Sequence, residues 1–512
     1  MIAPPYFKPA DNKLSATLEA IQAAEEKENL PPVASLGDSL LTPQRLPLAS
    51  HKSPARKRRR LLEAMVEPTT TTQLVIAGGQ MQRSLAEASN MKTLAENLEK
   101  LVLPDQLAVV LSNRKLQHVL SLSYKRSDLL RIQHWLRMRL SQSLMSPARS
   151  SGARLAQSAL LSSIVTMTSF FQELPPVVEE WLVGHLPTWD GESHQGAILE
   201  LVSWIRPTSF SRLNGEILTP LQRHLVTVEA RSVAILDAYT LLLERWAGLD
   251  WSRVSGAHEG KGKAKSVFVF HELERGLDYH RTIQLFVRHV ESAGMLSLQV
   301  NEGSAQISSS ILSFFETAGR LCTAFELPYT VLPNPGLFYA TLLSRCAAVV
   351  SRGAGLLVQF KREFELLKNM DPIEANLSFE NGLDQIPLFN EYVMDYSNVL
   401  WRQRAFEETQ KTILFKVNEE AVGVLKQGHT VKQALSITHS TPWSAECFRY
   451  LQGLRDRIQP EQHIILTPSM VKDKMRVDYL DYLRQQGYLG LHEFLYTFIG
   501  SLVERAKTKK PT

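Results

Sequence analysis

Fourteen histidines and three cysteines are the side chains best suited to hold a metal or attack a carbonyl. Their spacing suits neither task. Cys322 and Cys346 stand 24 residues apart and Cys447 is more distant still, so no neighbouring pair completes a four-ligand set. His280 and His289 share one helical stretch nine residues apart, a spacing that fits exposed or half-buried positions. An odd, dispersed trio of cysteines is no disulfide framework and fits small buried side chains in a reducing compartment. The segment EGKGKAKS at 259–266 has the wrong glycine spacing for a phosphate loop and no strand before it. Gly78-Gly79-Gln80 lies in a polar linker. The carboxylate pairs Glu179-Glu180, Glu407-Glu408 and Glu419-Glu420 abut helix-like sequence and read as solvated faces. No Gly-x-Ser-x-Gly nucleophile elbow is present. The chemistry open to these residues is binding: no enzyme activity, no cofactor and no metal is expected.

Charge narrows the binding. Lys and Arg number 57 against 52 Asp and Glu, a formal net charge of +5, which permits a nucleic-acid partner without arguing for one. The run KSPARKRRR at 52–60 concentrates six basic residues, Lys52, Arg56, Lys57, Arg58, Arg59 and Arg60. It reads as a nuclear import signal, with a solvated basic patch as the alternative. Ser53-Pro54 and Thr42-Pro43 are proline-directed phosphorylation candidates that would offset that charge. Together with the lysines at 261–265, this run could make weak, sequence-independent contact with DNA or nucleosomes. The opening MIAPPYFKPADNK shows no basic region followed by an apolar run. The longest apolar stretch, 160–171, is too short and too polar to cross a bilayer, so no membrane partner is expected.

The elements that must position these residues are helices. Leu, Ala, Glu, Gln and Arg dominate the middle of the chain, and alternating apolar runs are missing. The clearest case is 127–140, where Leu129, Ile132, Trp135 or Leu136, and Leu140 recur at helical spacing behind a capping Ser127. The same period predicts helices at Ala153–Leu174, Val177–Leu186, Ala197–Ile205, Phe210–Leu218 and Leu221–Trp246. Farther on it predicts His271–Ala293, Ser309–Phe325, Leu337–Val358, Phe364–Lys368, Phe389–Phe406, Ala445–Arg457 and a glycine-interrupted Lys474–Ala506. The fold expected is all-α, an irregular HEAT-like helical-repeat solenoid, with a globular helical domain as the alternative. Its expected organisation is a disordered basic tail and linker at 1–82, a first helical array at 83–254, and a flexible Gly/Lys loop at 255–266. A second array at 267–506 and a short tail at 507–512 complete it. The tail holds nine prolines by residue 70 and a short helical pattern at Leu14–Ala24.

Two turns carry recognisable detail. In LPTWDG at 186–191, Trp189 would wedge between helices, Asp190 would accept backbone N–H bonds at a helix start and Gly191 would permit the turn. In VLPNPGLFYATLL at 331–343, Pro335 and Gly336 shape the turn, and Phe338 opens the buried face of the next helix.

These motifs resemble the centromere protein I family, the Mis-six type. LPTWDG with VSWIRPTSFSRL at 202–213 carries the likeness most specifically. HLVTVEARSVAILDAYTLLLERW at 224–246, VLPNPGLFYATLLS at 331–344, FNEYVMDYSNVLWRQRAF at 389–406 and YLDYLRQQGYLGLHEFLY at 479–496 continue it in order. The resemblance runs from about residue 110 to 500 and points to the family's carboxy-terminal half, without the long helical solenoid that ordinarily precedes it. It implies a non-catalytic scaffold of the inner kinetochore, in the nucleus at the centromere, joined to centromere proteins H, K and M. A general helical-repeat adaptor of nuclear transport or trafficking is the rival class, since fold alone does not choose between them. Leu116, Leu120, Trp135, Trp189, Trp204 and Trp401 are the expected structural anchors.

Overall fold

The structure, a computed structural model, describes residues 83–84, 101–102, 106–123, 126–144, 151–225, 228–248, 278–325, 329–369, 382–404, 435–458, 466–502 and 504. The expectations for the tail up to residue 82, the basic run at 52–60, the loop at 255–266 and the end at 507–512 lie outside these residues. The chain divides into two compact units, residues 1–109 and 110–512. In the first, Arg83–Ser84 (β1) pairs in parallel with Leu101–Val102 (β2). Among the described residues this two-residue pair is the exception to an otherwise helical chain.

The helices are α1 (Gln106–Ser112), α2 (Arg114–Ser123), α3 (Arg126–Leu144), α4 (Ser151–Phe171) and α5 (Pro176–His185). There follow α6 (Gln195–Val202), α7 (Phe210–Leu213), α8 (Glu229–Ala247), α9 (Tyr279–Val300) and α10 (Ala305–Phe325). The series ends with α11 (Pro335–Leu342), α12 (Ala347–Asn369), α13 (Ile386–Tyr396), α14 (Thr441–Ile458), α15 (Asp473–Gln485) and α16 (Leu489–Phe498). Two of them run on into π-type turns, α7 at Asn214–Leu218 and α13 at Ser397–Arg402.

Local chemistry sets the boundaries. Pro176 sits in the first turn of α5, where its missing N–H costs nothing. Asp278 caps α9 by accepting the Arg281 N–H at 2.9 Å, and Asn334 caps α11 by accepting the Leu337 N–H at 2.9 Å. Four expected spans need correction, and the simplest is Phe389–Phe406, which ends at Arg402 because Gln403 turns left-handed at φ 56°. Ala153–Leu174 stops at Phe171, because Gln172 turns left-handed at φ 56°. Leu221–Trp246 is broken ahead of α8, where Val228 is extended (φ −144°, ψ 134°) and the Ser232 hydroxyl donates to the Leu225 carbonyl at 2.7 Å. Leu337–Val358 is two helices: α11 ends at Leu342, Ser344 accepts the Cys346 N–H at 3.2 Å, and α12 then runs unbroken through the segment expected as Phe364–Lys368. Neither of the last two breaks contains a proline or glycine, so periodicity reads across them.

Within the second unit the long helices pack in series. α6 lies on α4 and α8, α8 on α10, α10 on α12 and α12 on α16, with α9 between α8, α10 and α11. Aromatic edges run through this core: Tyr239, Trp246 and Phe314 all meet Phe286, and Phe338, Tyr396 and Phe494 continue toward the last helix. Each of these rings is buried to within 2% of full coverage, and rings of this size dominate core energetics.

Candidate functional site

The features that could do work are the joints fixing one helix against the next. At the first, a 3-10 turn (Leu186–Thr188) leaves α5 and delivers Trp189 into the core, 5% exposed, with its indole N–H donating to the Ser193 carbonyl at 2.9 Å. Its ring meets His224 edge-on at 5.2 Å. Asp190 closes the following turn by accepting the Glu192 N–H at 2.9 Å, the Ser193 N–H at 2.8 Å and the Ser193 hydroxyl at 2.5 Å. Partial burial would raise its carboxyl pKa, but the Ser193 and Glu192 bonds outweigh that and bring it down to about 2. Gly191 is required twice over. Its φ is +79°, and a Cβ there would lie 2.7 Å from His224 Nδ1 and 3.0 Å from Arg231 Nη1. Arg231, at the start of α8, pairs with Glu192 at 2.7 Å. One short turn thereby ties α5, α6, the end of the α7 segment and α8.

A second clamp closes the far end of α6. The Arg245 guanidinium lies 3.7 Å over the Trp204 ring, pairs with Glu200 at 2.5 Å and donates to the Glu200 carbonyl at 3.2 Å. The Trp246 indole donates to the Ile205 carbonyl at 2.7 Å. Carbonyls at and just beyond the helix end are thus satisfied from α8.

The proline-glycine turn is held from two sides. From α9, Glu291 accepts the Asn334 N–H, and Arg288 donates to the Leu332 carbonyl at 3.2 Å. From α13, the Tyr392 hydroxyl donates to the Pro333 carbonyl at 2.8 Å, and its ring stacks on Phe338 at 4.1 Å. Pro335 is half-buried and Gly336 exposed, with Met295 of α9 close beside the latter. The Tyr339 hydroxyl donates to Asp395 at 2.5 Å. At the last clamp, Arg476 of α15 covers the half-buried Trp401 ring at 4.2 Å and donates to the Leu400 carbonyl at 3.3 Å and to the Trp401 carbonyl. Burial brings its pKa down to about 10, which leaves it charged at neutral pH. Trp135 is half-buried under Arg139 at 5.6 Å, Leu120 is half-buried, and Leu116 is 39% exposed.

Burial shifts three of the groups that could do other chemistry. Burial pushes the Cys322 thiol up to about 12 and the Cys447 thiol up to about 11, so neither forms a thiolate at neutral pH. Burial brings His289 down to about 4 and keeps it neutral. Among the described residues no cluster of three or more His, Cys, Asp and Glu could hold a metal ion. No described helix is long and apolar enough to cross a membrane.

A family model described as Mis6, of centromere protein I, matches residues 5–257. Centromere protein I of Gallus gallus is 24% identical over 520 residues, covering 98% of this chain and 66% of that relative. The centromere protein I sequences of Rattus norvegicus and Mus musculus are 25% and 24% identical over 424 and 434 residues, 82% of this chain and 54% of each relative. The chain is similar to the centromere protein I, or Mis6, family. It spans under two thirds of the length of the relatives it matches. The family match begins at residue 5, well ahead of residue 110, from which the resemblance was expected to run. It takes in the Trp189 and Trp204 joints; the proline-glycine turn and Trp401 lie beyond it.

At these joints the sequence shows the turns but not their partners. Arg245 and Arg476 act on residues up to 45 and 76 positions away. The crossing of α12 and α16 was missed too: a Cβ on Gly490 would sit 3.1 Å from the Gly355 Cα and collide with the Ser351 carbonyl. A signal existed, since Gly353 and Gly355 stand inside a long helical pattern where glycine costs about 1 kcal/mol against alanine. That cost is tolerated where backbones must touch.

Proposed function

We propose that this chain is a non-catalytic scaffold subunit of the inner kinetochore, acting in the nucleus at the centromere of the chromosome. It binds centromere proteins H, K and M, and supports kinetochore assembly and chromosome segregation in cell division. The observation that carries the reading is the likeness to chicken centromere protein I across 98% of the chain. Its packed helices in series, with inert thiols and a neutral histidine, are the construction of a protein that works by presenting surfaces. The array reads as an irregular HEAT-like solenoid, in which each layer fixes the next. The basic run at 52–60 would serve as the import signal, and the tail that carries it is proposed to be disordered. Leu116, Leu120, Trp135, Trp189, Asp190, Gly191, Trp204, Pro335, Gly336, Phe338 and Trp401 are proposed as the anchors that hold the binding surfaces in place.

The test is co-purification of the tagged chain from mitotic cells, with imaging in parallel. Centromeric foci and recovery of proteins H and K are expected. Recovery of transport cargo instead, with diffuse cytoplasmic signal and an intact 52–60 run, would overturn the reading in favour of an adaptor.

A further inference from the structure

The charge of this chain is unevenly placed. Residues 110–172 hold nine Lys and Arg and one acidic residue, Asp128. The basic excess of this stretch alone exceeds the net +5 of the whole protein. Among the described residues, the same stretch carries large apolar side chains that are mostly exposed. On α3, Leu130 is 56% exposed and Met138 is 46% exposed, while Leu129, Ile132, Leu136 and Leu140 fill the core. Leu130, His134 and Met138 form one i, i+4, i+8 row along the solvent side, flanked by exposed Arg131 and Arg137. On α2, Val119 and Leu122 are 57% and 74% exposed. Its buried face holds Gln117 instead, whose amide donates to the Leu111 carbonyl at 2.5 Å.

We propose that the solvent face of α3 is a docking surface for an acidic amphipathic helix of a partner protein. An exposed i, i+4 row is the ridge that another helix receives in its groove. With 19 residues, α3 offers a ridge of about 28 Å, enough for a partner helix of several turns. The apolar row supplies contact area, and the arginines beside it select carboxylates. Arg137 already meets Glu180 at 2.6 Å, but both groups are more than 60% exposed. So exposed a pair yields readily to a better-placed carboxylate. A duplex nucleic acid would use the arginines and leave Leu130 and Met138 in water, so the apolar row favours a protein. This deepens the scaffold reading by naming a surface and the chemistry that fits it.

The experiment uses the full chain and two labelled synthetic helices of about four heptads, with the same leucine stripe and either glutamate or lysine elsewhere. Anisotropy should show the glutamate helix binding and the lysine helix failing. The Leu130→Glu, Met138→Glu double variant should weaken the glutamate helix at least about tenfold, and Arg131→Glu should weaken it with a reduced salt dependence. Leu130→Ser with Met138→Ser, checked by thermal unfolding, repeats the test should the charged variant misfold. Equal binding of the lysine helix would overturn the proposal, as would binding of the glutamate helix that all variants retain. Two further outcomes would also overturn it. One is tighter binding of a DNA duplex that the apolar variants leave unchanged. The other is a dimer of the chain that Leu130→Ser abolishes. None of these depends on centromeric localisation, so the two readings fail separately.

Discussion

Arg245, Arg288, Arg352 and Arg476 turn toward neighbouring elements, whereas Arg131 and Arg137 of α3 turn outward. Arg245, Arg288 and Arg476 each donate to a backbone carbonyl of another element. Arg352 joins them, holding Glu316 with two bonds at 2.9 and 2.8 Å and Ser309 and Ser313 besides. On α3, Arg131 and Arg137 lie on the solvent side between exposed Leu130 and Met138. The same residue type is a clamp in one region and a surface charge in the other. In the clamped region, substitutions should break packing. In the outward region, they should change binding and leave the fold alone. Four expected outcomes bear on that contrast.

The largest effect belongs to Trp189→Ala. Removing a buried indole costs roughly 3–5 kcal/mol in lost contact and cavity, comparable to the total stability of many domains. The variant should unfold at lower temperature in isolation, and hydrogen exchange should rise first around α5, α6 and the start of α8. Unchanged stability with weaker partner binding would instead make Trp189 a contact residue.

Next is Gly490→Ala. The added methyl meets the Gly355 Cα and the Ser351 carbonyl, both backbone, so α12 and α16 must move apart. Overpacking of this kind costs typically 1–3 kcal/mol. Chemical denaturation should show a lower midpoint with little change in slope. Gly184→Ala, at a helical site with open space around it, is the matched control and should be neutral or slightly stabilising.

A smaller effect separates Asp190 by pH. Its folded pKa of about 2 lies below the ordinary 3.8. The ionised form therefore contributes stability above the unfolded value, and that contribution is lost as pH falls through the folded one. Asp190→Asn should lower the melting temperature near neutral pH, and the gap to wild type should close between about pH 4 and pH 2. Asp190 is exposed, so the gap is small. A gap that persists at pH 2 would show that the turn depends on geometry alone.

What the sequence made legible follows the range of the interaction. Helix existence depends on neighbours three and four positions away, so the apolar period of α3 and α8 shows in the text. The Trp189 turn is legible for the same reason, since its bonds from Asp190 span two or three residues. The clamp on Trp401 was illegible because Arg476 comes from 75 positions later in the chain. The breaks before α8 and α12 were illegible because neither uses a turn residue of strong preference. The covered stripe of α3, by contrast, was legible: Leu129, Ile132, Leu136 and Leu140 stand at helical spacing and are buried, while Leu130, one position on, is 56% exposed.

Leu130→Ala gives the smallest expected effect on stability, and set beside Leu129→Ala the sharpest contrast. Leu129 is 7% exposed and Leu130 is 56% exposed on the same turn of α3. Truncation to alanine removes the same atoms in each case and alters helix propensity equally, because the residue types are identical. Any difference in stability must then come from what surrounds the side chain. Leu129→Ala leaves a cavity against its packed neighbours and should cost about 2–5 kcal/mol. Leu130→Ala removes carbons that already face water and should stay within about 0.5 kcal/mol. Binding should reverse the order. Leu130→Ala should weaken capture of the glutamate helix while the melting temperature holds, because its side chain gains cover only in the complex. Equal destabilisation by both variants would mean that Leu130 is covered in solution by another part of the chain, and the outward face of α3 would then belong to the core.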